Sequence, residues 1–131
     1  MLAHLTAIKA LVVPLMPVYI GDATGATVLP YLLLWSSGGL PGIEQAVDGI
    51  RTDLDTTVGA TFVATTAEGA LIAQKRGRGV LAPGGAPKAL TVAGRTAWLV
   101  LFDSQPVTID RDVTPHVAVA VDVYRLISTP S

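Results

Sequence analysis

Between Val117 and Tyr124 the sequence reads VAVAVDVY, with valine at every second position. A period of two places successive side chains on opposite faces of a β-strand. Val117, Val119, Val121 and Val123 form one face, which is expected to turn into a core. Ala118, Ala120, Asp122 and Tyr124 form the other, and it too is mostly apolar. A strand apolar on both faces is covered twice and lies centrally in its sheet. Any fold of this chain must therefore place strands on both sides of it. Just upstream, Asp110, Arg111 and Asp112 crowd three charges into a turn closed by Pro115, with Arg111 set between two carboxylates.

Asp122 interrupts the alanine face of that strand. A carboxylate in such a place is paired or lies at an interface. Arg51, Arg95 and Arg111 are candidate partners, and the sequence does not choose among them. The flanking alanines leave shallow room for another chain, so the expectation is a subunit interface.

The remaining elements follow from periodicity. Leu2, Leu5, Ile8 and Val12 recur at offsets of three and four, which predicts a helix that Pro14 and Pro17 end. Val18 to Ile20 and Tyr31 to Trp35 read as strands, the second too apolar to meet water on either face. Ile43 to Ile50 is read as an edge strand. From Asp55 the alternation is clear, with Thr57, Thr61 and Thr65 on one side and Val58, Ala60, Phe62 and Ala64 on the other. Thr66 caps a second helix whose inner face is Ala67, Ala70, Ala73 or Gln74, Gly77 and Val80. Residues 82–89 read as loop, and Leu90 to Val92 as a short strand. Trp98, Val100 and Phe102 mark one face of the next strand, and Asp103 to Pro106 a bulge or tight turn. Trp35 and Trp98 are expected in the core. The order of helix, strands, helix, strands gives an α+β fold of one domain, residues 1–131: an antiparallel or mixed β-sheet with two helices packed on one face.

The chemistry-bearing residues are scattered. His4 and His116 have no metal spacing and are read as surface or sheet-edge residues. No serine sits in a nucleophile elbow, and the glycine pairs lack a phosphate loop's lysine. Without cysteine there are no disulfides or thiolate sites. No cofactor is implied. A net charge of −1 gives no electrostatic case for nucleic acid, and no apolar run is long enough to span a bilayer. No targeting segment is evident at the start, so the expectation is a soluble intracellular product. Lys75, Arg76 and Arg78 gather at the end of the second helix, where they complement its dipole. They are expected to be solvated, dispensable for folding, and able to meet an acidic partner. Half of the residues are hydrophobic and only 15% are charged, which points to self-association.

The order of these pieces resembles the tail terminator proteins of long-tailed bacteriophages, especially those that infect actinobacteria. The points of similarity are a short first helix ending in Pro17-Val18-Tyr19 and a strand from Leu29-Pro30-Tyr31 to Trp35. Then come Asp55 to Ala64 leading into an alanine-rich helix with a basic end, Asp110 to Pro115, and Val121-Asp122-Val123-Tyr124-Arg125-Leu126. The likeness spans nearly the whole chain; Gly77 and Gly79 depart from it, standing where continuous helix formers are expected. The resemblance implies a non-enzymatic virion subunit, made in the host cytoplasm, at the head-proximal end of the tail. It implies a homo-hexameric ring that stops polymerisation of the tail tube protein and offers a surface to the head-side connector. Arg51, Lys75, Arg76, Arg78, Asp110, Arg111, Asp112 and Asp122 are the candidate interface residues. A head–tail joining or tail-completion protein, and a small-molecule-binding or enzymatic α+β domain, are the rival readings.

Overall fold

A computed structural model of the chain describes residues 2–21, 28–36, 54–112 and 116–130. The elements are α1 (Leu2–Val12), β1 (Val18–Ile20), β2 (Tyr31–Ser36), β3 (Leu54–Ala64), α2 (Ala67–Leu81), β4 (Lys88–Val92), β5 (Arg95–Asp110) and β6 (Val117–Pro130). The strands form one six-stranded sheet in the order β1-β2-β3-β6-β5-β4. β1 pairs parallel to β2 and every other neighbour is antiparallel, so the sheet is mixed. Both helices pack on one face of it, as the α+β reading requires. The expected edge strand at 43–50 and the candidate Arg51 lie outside the described residues.

α1 buries His4, Leu5, Ile8 and Val12, a stripe of spacing three and four. Leu2, expected on that stripe, is 66% exposed at the helix start. Past Val12 the chain tightens, with Leu15 N donating to Val12 O at 2.8 Å, before Pro17 O accepts from Leu32 N to open the β1–β2 ladder. The first helix thus feeds directly into the sheet edge.

β3 keeps the predicted alternation. Val58, Ala60, Phe62 and Ala64 are buried under the helices, while Thr57 and Thr61 are half-buried on the opposite, outer face. Thr66 caps α2 as expected, its Oγ1 accepting from Gly69 N at 3.0 Å. The buried side of α2 is Ala70, Ala73, Gln74, Gly77 and Leu81, with Ala67 exposed and Val80 half-buried instead. Small residues let the helix sit low on the sheet. An ideal Cβ on Gly77 would lie 2.4 Å from Phe62 Cζ, so the ring occupies the space a side chain would need. α2 continues unbroken through both glycines to Leu81.

Residues 82–89, read as loop, hold a short 3-10 turn at Pro83–Gly85 and the start of β4. β4 and β5 join through Ala93 and Gly94, a two-residue hairpin loop in which Gly94 takes φ 73°. The expected irregularity at Asp103 to Pro106 falls inside one long strand. β5 shifts register between Leu101 and Asp103 and again between Gln105 and Thr108. β4 pairs with β5 only from Arg95 to Leu99. Beyond Leu99, β5 has β6 on one side and no further strand on the other among the described residues.

β6 lies between β3 and β5, so the valine-rich strand is central as its pattern predicts. Its faces are reversed. Ala118, Ala120, Asp122, Tyr124, Leu126 and Ser128 are buried beneath the helices, whereas Val117, Val119, Val121 and Val123 are half-buried on the outer face. The low seat of α2 is the cause: it leaves depth for alanine, with Phe62 and Tyr124 filling the remaining volume. Nor are the tryptophans core residues. Trp35 and Trp98 are 37% and 44% exposed on the outer face. Trp35 lies across Gly59, where an ideal Cβ would stand 1.9 Å from Cε2, and donates Nε1–H to Thr61 Oγ1 at 3.0 Å. Leu32 and Leu34 bury the other side of β2 completely, so that strand does face solvent at Trp35.

Candidate functional site

The polar side chains that the fold brings together meet under α2. Asp122 is fully buried in the middle of β6. Gln74 and Arg78, one helical turn apart on α2, reach down to it. Arg78 donates Nε–H to Asp122 Oδ2 at 2.7 Å and Nη2–H to Oδ1 at 2.6 Å, a bidentate pair. Gln74 Nε2 donates to Oδ1 at 2.8 Å. Ser104, opposite Asp122 in the register with β5, accepts from Arg78 Nη2 at 2.7 Å. The hydrogen bonds to Asp122 raise the Arg78 pKa against the opposing effect of burial. Burial, then the charge of Asp122, pushes the Tyr124 phenol up as well. Both shifts hold these groups in the protonation states they have at neutral pH. The arrangement fastens a helix to a sheet.

A second buried cluster ties α1 down. His4, read as a surface residue, is only 4% exposed, and its Nε2 lies 2.8 Å from Ser128 Oγ. Arg95 Nε donates to the same Ser128 oxygen at 2.6 Å. A cationic donor there favours the neutral imidazole, with Nε2 accepting the Ser128 hydroxyl proton. Nδ1 is then buried with no hydrogen-bond partner among the described residues. Desolvation first, then the N-terminal ammonium and Arg95, lower the His4 pKa from 6.5 to about 4. The folded state therefore binds fewer protons than the unfolded chain between those two values. Stability is complete above pH 6.5 and declines as pH falls toward 4. We expect a loss on the order of 1–3 kcal/mol across that window, because the buried imidazole is costly to charge. His4→Gln should remove that part of the slope. Urea titrations of both proteins at several pH values test this; parallel pH profiles would refute it.

The predicted interface residues separate into three groups. Arg78 and Asp122 meet each other within the chain, and Asp122, wholly buried, is not the subunit contact expected of it. The cation is Arg78 rather than Arg51, Arg95 or Arg111. Lys75 and Arg76 are exposed on the solvent side of α2. Asp110 is half-buried, and Arg111 and Asp112 are exposed, at the far end of β5. Asp112 N donates to Asp110 Oδ1 at 3.0 Å and shapes the start of the turn. Val113 to Pro115 lie outside the described residues. Gln74, Ser104, His4, Arg95 and Ser128 were missed as network members. Helical spacing held part of the signal: Ala70, Gln74 and Arg78 share one stripe, and so do His4, Ile8 and Val12.

No protein-family model matches this chain, and no curated protein matches it. Among the described residues no three His, Cys, Asp or Glu side chains gather as a metal site. No helix is long and apolar enough to cross a membrane. Among the described residues the depressions include an open one. It lies between α1 and β4 and is lined by Leu2, Ala3, Thr6, Ala7, Ala10, Thr91, Val92 and Ala93, without an ionisable group. The surface is better described by its apolar side chains, which lie on more than one side. Leu71 and Ile72 stand on α2, and Trp35, Trp98 and Phe102 on the sheet's outer face.

Proposed function

We propose that this chain is a structural virion subunit, a tail terminator. It assembles as a homo-hexameric ring on the end of the tail tube, stops its polymerisation and presents the head-side joining surface. The observation that carries the reading is the pair of separate apolar surfaces, α2 and the outer sheet face, on a subunit that is poor in charge. A closed ring joins different patches of neighbouring copies, whereas a two-fold dimer joins a patch to itself. The sequence resemblance supports the same role through the order of its motifs along the chain. In this reading the partners are further copies, the tube protein and a head-side connector, with no nucleic acid recognised, no membrane met and no reaction catalysed.

Electron microscopy of growing tail tubes with the purified protein tests the proposal. The expected result is a six-fold ring at one tube end and tubes that stop lengthening. Tubes that lengthen unchanged and carry no ring would sink it. A protein that binds only the head-side connector would favour the joining-protein reading instead.

A further inference from the structure

α2 turns one stripe to the sheet and leaves Leu71, Ile72, Lys75 and Arg76 outward. Leu71 and Ile72 are 52% and 48% exposed. Spacings of three and four bring the two apolar residues beside the two cations, so the stripe is apolar at one end and positive at the other.

The other surface is the part of β5 beyond β4. Register places Asp103 opposite Val123 and Asp110 opposite Val117, both on the outer face of the sheet. Phe102 is 66% exposed on that face, beside Thr57 and Arg125, and Asp112 follows at the strand's end. Two register shifts and Pro106 interrupt the ladder that this edge would otherwise offer. A contact here is made by side chains rather than by adding a strand.

The α2 stripe carries Lys75 and Arg76, and the β5 face is net acidic, with Asp103, Asp110 and Asp112 against Arg111, while Arg125 there is paired with Asp55; each surface has exposed apolar residues. They also lie on opposite faces of one sheet, so neither can reach the other within a chain. We infer that the contact between neighbours seats the α2 stripe of one copy on the outer face of β5 of the next. Lys75 and Arg76 face Asp103, while Leu71 and Ile72 cover the adjoining Phe102. The occupant of each surface is a second copy of this chain. Each copy gives one patch and receives the other, a head-to-tail arrangement that can close. The charges set orientation and register, and the apolar residues supply the buried area. The inference rests on the ring reading and names its contact.

Two variants of the full chain test it, Lys75→Glu with Arg76→Glu, and Asp103→Lys. Sedimentation velocity and native mass spectrometry read assembly, and circular dichroism reads folding. The wild type should form rings. Each variant alone should associate about tenfold or more weakly, because like charges then meet at every contact. An equimolar mixture should regain rings of alternating copies, since each altered patch now faces its opposite. Rings from either variant alone, as good as wild type, would overturn the contact and leave the ring reading standing. Variants that remain apart when mixed would also overturn it. A wild-type chain that never associates removes the ring reading and this contact together. Should a reversal unfold the chain, Lys75→Gln with Arg76→Gln and a salt series on the wild type replace it. Assembly indifferent to both the neutral variant and salt from about 50 to 500 mM would overturn the contact.

Discussion

Arg78→Ala is expected to destabilise the fold by about 3–5 kcal/mol, although the residue stands in a basic run at a helix end. The loss comes from what stays behind. Asp122 is wholly buried, and without Arg78 its carboxylate loses its cation and two of its hydrogen bonds, while the Gln74 amide remains. Asp122→Asn should cost less, about 1–3 kcal/mol. In that variant the stranded group is the Arg78 side chain, which is 36% exposed and can turn toward water. Arg78→Met together with Asp122→Leu removes both charges and should recover much of the loss. Urea unfolding reads all three as shifts in midpoint at constant slope. If Arg78→Ala moved the midpoint no further than a surface Lys75→Ala, the pair would not hold the helix down.

Gly77→Ala and Gly79→Ala should shift stability in opposite directions. Alanine favours helix over glycine by about 0.5–1 kcal/mol at either site. At Gly79 nothing lies within 4 Å of the added methyl, so the gain is realised. At Gly77 the methyl would stand 2.4 and 2.5 Å from the Phe62 ring, which is itself fully buried. The ring or the helix must move, at about 1–3 kcal/mol, and the net effect is a loss of about 2 kcal/mol at the upper end. Thermal melts of the two variants decide it. Stabilisation by both would mean that α2 does not rest on Phe62.

The contrast between these glycines shows what the sequence carries. Both read as weak points in a helix, because propensity is a property of the residue. That Gly77 is required is a property of Phe62, fifteen positions away and on another element. The same limit explains β6. Its alternation and central place were legible, since an apolar period of two has few other meanings. Its facing was not, because valine is more apolar than alanine and only the depth left beneath α2 reverses the choice. Asp122 announced that it needed a partner. Arg78 was hidden in a run of cations, where charge suggested solvent more strongly than the Gln74 spacing suggested the interior. His4 was similar: a lone histidine reads as surface until its place on the Ile8 and Val12 stripe is counted. The outward Trp35 follows from Gly59, whose bare backbone gives the indole a seat on the solvent side.

The position of β6 bears on how the chain is made. β3 and β5 do not touch as neighbours; each pairs with β6, which follows the other five strands in chain order. Before residues 117–130 leave the ribosome, the nascent chain can form β1-β2-β3 and β4-β5 only as separate pieces. Each of these exposes an open edge and half of an apolar layer, and the anchors for both helices, Asp122 and Ser128, do not yet exist. Completion is consequently a late, long-range event, in which one strand enters between two others and both helices are secured together. Until then α2 lacks a settled place on the sheet, so the contact proposed for its outward stripe cannot form ahead of folding.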